Sequence, residues 1–248
     1  MKLSCLQENL SRGLAIVSRA VTTRATLPIT QNVLISTDQS MLKLSATNLE
    51  IAITTWIGAM IEEEGSITVP ARLLNEFVNS LSGDRIDLEL SENRGSLQLT
   101  CGRADARVNG ADANEFPPVP TVEDGMSVSI DAQLLRIAIS RVAFAAATEE
   151  SRPVLTVVEL KLVGNKFSLA AADGFRLAVQ HGLLSEPVDE ETVVIIPART
   201  LNELARLIGD QTEPVEIMMT PSKGQVMFKA QGVELVSQLL QGAFPNYE

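Results

Sequence analysis

The sequence is poor in the residue types that most often carry chemistry. Its 248 residues include one histidine, His181, so neither a multi-histidine metal site nor a histidine-based site in each half can be built. The two cysteines, Cys5 and Cys101, lack metal-ligand spacing, which predicts reduced thiols and a cytoplasmic setting. Sequence alone leaves a disulfide between them open. There is no phosphate-cradling glycine loop and no Gly-x-Ser-x-Gly elbow. No apolar run approaches membrane-spanning length, and the start "MKLSCLQENL" has no signal-peptide core. The acidic clusters Glu62-Glu63-Glu64 and Asp189-Glu190-Glu191 are candidates for a cation. They fall at the same place in a repeat, just before a strand, and read as solvated turns. These absences predict no catalytic constellation, no metal and no cofactor.

Positive charge is also scarce. Twenty lysines and arginines face 31 aspartates and glutamates, a net charge of −11. That excludes a protein that coats itself indiscriminately with nucleic acid, but not a local basic surface.

What the chain does have is a 45% apolar content and an internal repeat. "VPARLLNEF" at 69–77 returns as "IPARTLNEL" at 196–204. "VSRAV" at 17–21 resembles "ISRVA" at 139–143, and "LKLSATNLEIAI" at 42–53 parallels "FSLAAADGFRLAV" at 167–179. "EEEGSITVP" at 62–70 parallels "DEETVVIIP" at 189–197. The proline-rich "EFPPVPTVEDG" at 115–125 breaks helix and strand alike and separates the copies. Domains at 1–122 and 127–248 follow. Each copy reads strand, helix, several strands, helix, several strands. Alternating segments such as "RIDLEL" and "SLQLTC" suit half-buried antiparallel strands, and the helices are too few for a doubly wound parallel sheet. The predicted class is α+β: tandem duplicated domains, each with antiparallel sheets outside and two helices on one face.

Helical spacing assigns the faces of four helices. Helix 7–21 hides Leu10, Leu14, Val17 and Val21 and turns Arg12 and Arg19 outward. Helix 70–81 hides Leu73, Leu74, Phe77, Val78 and Leu81 and presents Arg72 and Asn79. Helix 131–143 carries Gln133, Arg136 and Ser140 on its polar side, with Arg141 nearer the apolar edge. Helix 197–208 hides Leu201, Leu204, Ala205 and Ile208 and turns Arg199 and Arg206 away. Such arginines are either solvated and paired locally with Glu8, Glu76 and Glu203, or aimed at a polyanion. Their recurrence on four helices of an acidic chain favours the polyanion. Spaced arginines on helices would meet a phosphate backbone and read little base sequence.

Five segments in register, "TTRATLPITQNVLI", "VPARLLNEFVNSL", "AADGFRLAV", "IPARTLNEL" and "GAFPNY", together resemble the bacterial DNA polymerase III beta subunit family, the sliding clamps. The resemblance covers the whole chain. It implies a non-catalytic replication processivity factor: a ring around double-stranded DNA, with helices lining the hole, closed by two subunits head to tail. Family members carry three such domains, and this chain matches the first two, so the resemblance implies a third clamp domain that the sequence does not include. Implied partners are the DNA polymerase III alpha subunit, the clamp loader and other proteins with a clamp-binding motif. By match of position, Arg24 and Arg152 contact DNA, with Arg72 and Arg199 at the starts of inner helices. Leu155, Ala172, Gly174, Phe175, Arg176, Leu177 and Pro245 match one wall of the partner-peptide pocket. Ala172 stands where threonine is usual and Phe175 where histidine is usual, exchanging polar contacts for apolar area. Two readings remain beside it: a metal-dependent DNA-processing domain, and a duplicated α+β interaction scaffold with no DNA role.

Overall fold

In the computed structural model, which describes residues 1–22, 27–91, 95–122, 125–149, 151–222 and 224–247, the repeat becomes two units, Met1–Pro120 and Thr121–Glu248. The division falls inside the proline-rich stretch.

The first unit runs β1 (Lys2–Leu6), α1 (Gln7–Val17), β2 (Asn32–Asp38), β3 (Met41–Thr47), β4 (Ile51–Glu63), β5 (Ser66–Pro70), α2 (Ala71–Ser80), β6 (Arg85–Leu90), β7 (Ser96–Cys101) and β8 (Ala104–Asn109). Every pairing is antiparallel, in the order β8-β7-β6-β1-β4-β3-β2-β5. The alternation of "RIDLEL" is realised in β6, where Ile86 and Leu88 are buried and their neighbours exposed. Strand β4 is long enough, at 13 residues, to pair with β3 through its first half and β1 through its second. Helix α1 buries Leu10, Leu14 and Val17 completely. Each such side chain contributes about 1.5–3 kcal/mol. Gly13 sits on the same face because there is no room for more: a Cβ there would stand 2.8 Å from the Cδ1 of Leu44 on β3.

The second unit runs β9 (Met126–Ile130), α3 (Ala132–Val142), β10 (Val157–Ala172), β11 (Leu177–Pro197), α4 (Ala198–Ile208), β12 (Val215–Met219), β13 (Gln225–Ala230) and β14 (Val233–Gln238). Here β9, β12, β13 and β14 pair in that order. One hairpin of two long strands, β10 with 16 residues and β11 with 21, does the work of β2 to β5 in the first unit. Its register shifts around Gly164, so the hairpin bends in the middle.

Several expectations need correction. Helix α1 stops at Val17 and tightens into a 3-10 turn at Ser18–Ala20, so Val21 is extended and half-buried instead of extending the stripe. Leu73 is 52% exposed, because the short helix α2 turns Ala71, Leu74 and Val78 inward and leaves Leu73 on the outer side. Phe77, Leu81 and Ala205 are only half-buried. The prolines of both "PAR" motifs cap the helices from the preceding strand; the first helical residues are Ala71 and Ala198. Of the acidic clusters, Glu62 and Glu63 end β4, and Asp189, Glu190 and Glu191 lie within bulged β11, so neither is a simple loop. Both remain exposed, with Glu62 3.0 Å from Lys2 and Glu191 3.5 Å from Lys161. Among the described residues no cluster of histidine, cysteine or carboxylates could hold a metal, and no helix is long and apolar enough to cross a membrane. Cys5 and Cys101 are buried free thiols.

Candidate functional site

Within the first unit the two helices lie side by side. The Gln7 side-chain amide donates to the Val78 carbonyl at 2.7 Å, and the Ser11 hydroxyl meets Asn79 Oδ1 at 2.6 Å. On the same helices Arg12 and Arg72 are exposed. Each arginine is held by its own helix: Arg12 to Glu8 at 2.8 Å and Arg72 to Glu76 at 2.8 Å. The hydrogen bond from Arg72 to Glu76, and then the charge of that carboxylate, raise the guanidinium still further above its ordinary value. Arg19 is exposed on the 3-10 turn that follows α1. Arg24 lies outside the described residues.

The second unit repeats the arrangement with different residues. The Gln133 amide on α3 donates to the carbonyls of Gly209, at 3.1 Å, and Gln211, at 2.8 Å, just past the end of α4. Arg136 is half-buried and donates to Gln133 Oε1 at 2.9 Å, so it is tied down beside this contact. Arg199 is exposed in the first turn of α4. Arg206, seven residues on from Arg199, is exposed and paired with Glu203. Arg141, placed by spacing near the apolar edge, is exposed and reaches Gln180 on β11 at 3.3 Å. Arg152 is exposed at the start of a 3-10 turn, its carbonyl accepting from the Leu155 N–H at 2.9 Å.

On these helix faces the local pairing read from the sequence is present for Arg12, Arg72 and Arg206. Arg12, Arg19, Arg72, Arg199 and Arg206 are exposed, whereas Arg136 is half-buried. Exposed pairs of this kind are weak and screened, so a phosphate can exchange for the carboxylate without disturbing the core.

The second cluster surrounds the turn between β10 and β11. Ala172 and Leu177 are the last paired residues, and Asp173 to Arg176 form the turn. Asp173 Oδ1 accepts from the backbone N–H groups of Phe175, at 2.9 Å, and Arg176, at 3.0 Å. Those backbone bonds, followed by the nearby Arg176 charge, lower the Asp173 carboxyl below its usual value. Gly174 takes φ +93°, where a side chain would be strained. With the turn fixed, Arg176 is 2.9 Å from Asp173 Oδ2, and its guanidinium lies 5.7 Å from the ring centroid of Phe144. Phe144, in the 3-10 turn after α3, is 60% exposed and was not anticipated from the sequence. The one available signal was an aromatic residue just beyond the buried stripe of that helix.

Phe175 is fully exposed at 101% and Leu177 is 47% exposed, so this turn offers an apolar surface beside a fixed guanidinium. Leu155 differs from the expectation. It is only 8% exposed because its 3-10 turn is tucked inward, its carbonyl accepting from the Ala147 N–H at 2.8 Å. It supports the surface more than it offers area to a partner. Pro245 is exposed in the terminal segment. That segment is anchored by the Leu240 N–H to the Ile195 carbonyl, at 3.2 Å, and by the Tyr247 hydroxyl to Glu159, at 3.0 Å. Arg176 and Phe144 are thus joined directly, while Leu155 and Pro245 are positioned from separate segments.

Comparison with known proteins bears on the whole chain. Residues 1–120 match the N-terminal domain of the DNA polymerase III beta subunit, and residues 129–246 match its central domain. The beta sliding clamp of Synechocystis is 35% identical over all of this chain and 68% of its own length. That of Bacillus subtilis is 32% identical over 99% of this chain and 66% of its own. The crystal structure of the Bacillus subtilis DNA polymerase sliding clamp superposes with a TM-score of 0.95 at 31% identity, over 99% of this chain and 66% of that one. The chain spans about two thirds of the length of these relatives. On the strength of whole-chain identity, matched domains and shared fold, the chain belongs to the DNA polymerase III beta subunit family.

Proposed function

We propose that this chain forms two domains of a replication processivity clamp, which holds a polymerase on duplex DNA by surrounding the duplex and performs no chemistry itself. The observation that carries the reading is the repeated two-helix face. In each unit the helices give their apolar stripes to the sheet and turn arginines the other way. In this reading Arg12, Arg19, Arg72, Arg136, Arg199 and Arg206 face DNA, with Arg152 reaching it from its 3-10 turn, and Arg24, outside the described residues, joins them on the resemblance alone. Their contacts are to phosphates, so binding is blind to sequence and weak enough to slide. The neighbouring Glu8, Glu76 and Glu203 keep it weak.

The surface built by Phe144, Phe175, Arg176 and Leu177, with Gly174 and Ala172 at the turn and Leu155 and Pro245 around it, is read as the docking place for partner peptides. Those partners are the polymerase alpha subunit, the clamp loader and other clamp-binding proteins. An apolar strip beside one fixed guanidinium suits a short peptide with hydrophobic side chains and a carbonyl or carboxylate near them. A complete ring is a head-to-tail homodimer of subunits of the relatives' length, working in the cytoplasm.

Primer extension tests the reading. The full-length subunit containing this sequence, given its loader and polymerase on a long primed template, should lengthen the products made in one binding event. Unchanged product length in the presence of a loader that opens the ring would contradict it. Degradation of DNA in magnesium by the subunit alone would favour the catalytic alternative.

A further inference from the structure

The two units differ at one strand edge. In the first, β1 is paired on both sides: with β6, and with the second half of β4, which supplies Ala59 to Glu63. In the second, the equivalent strand β9 pairs with β12 alone among the described residues. The segment of β11 that corresponds to the end of β4 runs beside β9 without pairing with it among the described residues, and Pro187 in it has no N–H to donate. A groove of about 680 Å³ lies between them. Four consecutive residues of β9, Met126 to Ser129, line it. Consecutive strand residues point to opposite faces, so a cavity lined by all four lies along the strand's edge. The Thr192 hydroxyl, 3.3 Å from Met126 Sδ, ties the two sides of the groove together.

The groove also has a chemical character. Val128 and Met219 are buried in its wall, whereas Glu186, Asp189 and Glu190 are exposed around it. No lysine or arginine lines it among the described residues. The first unit shows what pairs along this edge in the fold, namely an antiparallel strand. The rim shows which charge that strand should carry.

We propose that the groove beside β9 is a second partner site, which takes an extended peptide segment bearing lysine or arginine at alternate positions as an added strand. The peptide would pair its backbone with the open edge of β9 and set its basic side chains against Glu186, Asp189 and Glu190. It lies wholly within the second unit and uses none of the residues around the β10–β11 turn, so it does not depend on the function proposed above.

The test uses a blocked seven-residue peptide alternating lysine and valine, titrated into the 248-residue chain and followed by backbone amide NMR. Expected are shifts at the amides of Met126 to Ser129, of Glu186 and of residues 188–190. The paired reversal Asp189→Lys with Glu190→Lys, at exposed positions, should weaken binding about tenfold and leave the melting temperature in place. The same peptide N-methylated on alternate residues, made in both phases, should lose binding in at least one phase. Undiminished binding of both methylated forms would mean attraction by charge alone and would overturn strand addition. So would an unperturbed β9, or equal binding of a glutamate–valine peptide. Concentration-dependent self-association through the same amides, with no peptide effect, would assign the edge to a second copy of the chain and overturn the proposal as well.

Discussion

Phe175 offers the sharpest test of the peptide surface, because its environment separates folding from binding. The ring is 101% exposed, and only its backbone N–H is used, in the bond to Asp173. Phe175→Ala therefore removes nothing that the fold rests on, and the unfolding free energy should stay within the range of a neutral surface change, about ±0.5 kcal/mol. On binding, the same ring is a large apolar surface. If docking covers half of an aromatic side chain of about 200 Å², the burial amounts to roughly 2.5 kcal/mol, or about 60-fold in affinity. Leu177, 47% exposed, has less left to bury, and Leu177→Ala should cost about 1 kcal/mol, near fivefold. Fluorescence anisotropy of a labelled peptide from the polymerase alpha subunit's clamp-binding segment reads both. The order of effects, Phe175 above Leu177 with stability unchanged, is the prediction. Equal affinity of Phe175→Ala and the parent chain, both folded, would refute the reasoning and move the peptide site elsewhere.

Other consequences concern charge and burial. Replacing Glu8, Glu76 and Glu203 by glutamine frees Arg12, Arg72 and Arg206 from their own helices and should tighten DNA binding, whereas alanine at each arginine should weaken it and reduce the slope of log K against log salt by about one each; filter binding across a salt series measures both. The Asp173 carboxyl is held below its ordinary value, so its contribution to the turn is present above the unfolded-state value of about 3.9 and is lost as pH falls through the lower folded value. The Phe175 amide resonance should therefore move only at acid pH, and in Asp173→Asn, which can still accept the two backbone bonds, it should not titrate. Burial pushes the Cys5 thiol up to about 12, so it should resist a thiol reagent at pH 8 in the native chain and react once urea unfolds it.

The repeat was legible in the sequence because it rests on short-range rules. Four helices at a 3.6-residue period and β6 at a two-residue period each hide one face, and Leu10, Leu14, Leu201 and Leu204 are buried as their spacing requires. The turns matched too. Asn48 and Asp173 each accept from the N–H groups two and three residues ahead, and the next residue takes positive φ in both, Leu49 at +76° and Gly174 at +93°. What escaped the reading depends on contacts distant in sequence. Thr200 is buried because its hydroxyl finds Ser237 at 2.9 Å, and no local pattern announces that partner. Leu73 lies outside because α2 is too short to bury a wider stripe. Phe144 becomes part of a surface only when the β10–β11 turn brings Arg176 over it. The groove beside β9 arises from a strand pairing that fails to repeat, and a repeat read from sequence predicts the pairing, not its absence.

Encirclement of DNA is the central claim, and topology tests it more directly than affinity does. The full-length subunit is loaded onto a nicked circular duplex, separated from free protein, diluted, and then cut with a single-site nuclease. Retention on the closed circle through the dilution, followed by rapid loss from the linear product at the same salt, is the predicted result. Equal retention on both forms would mean that the arginines hold the duplex from one side, and it would contradict the account.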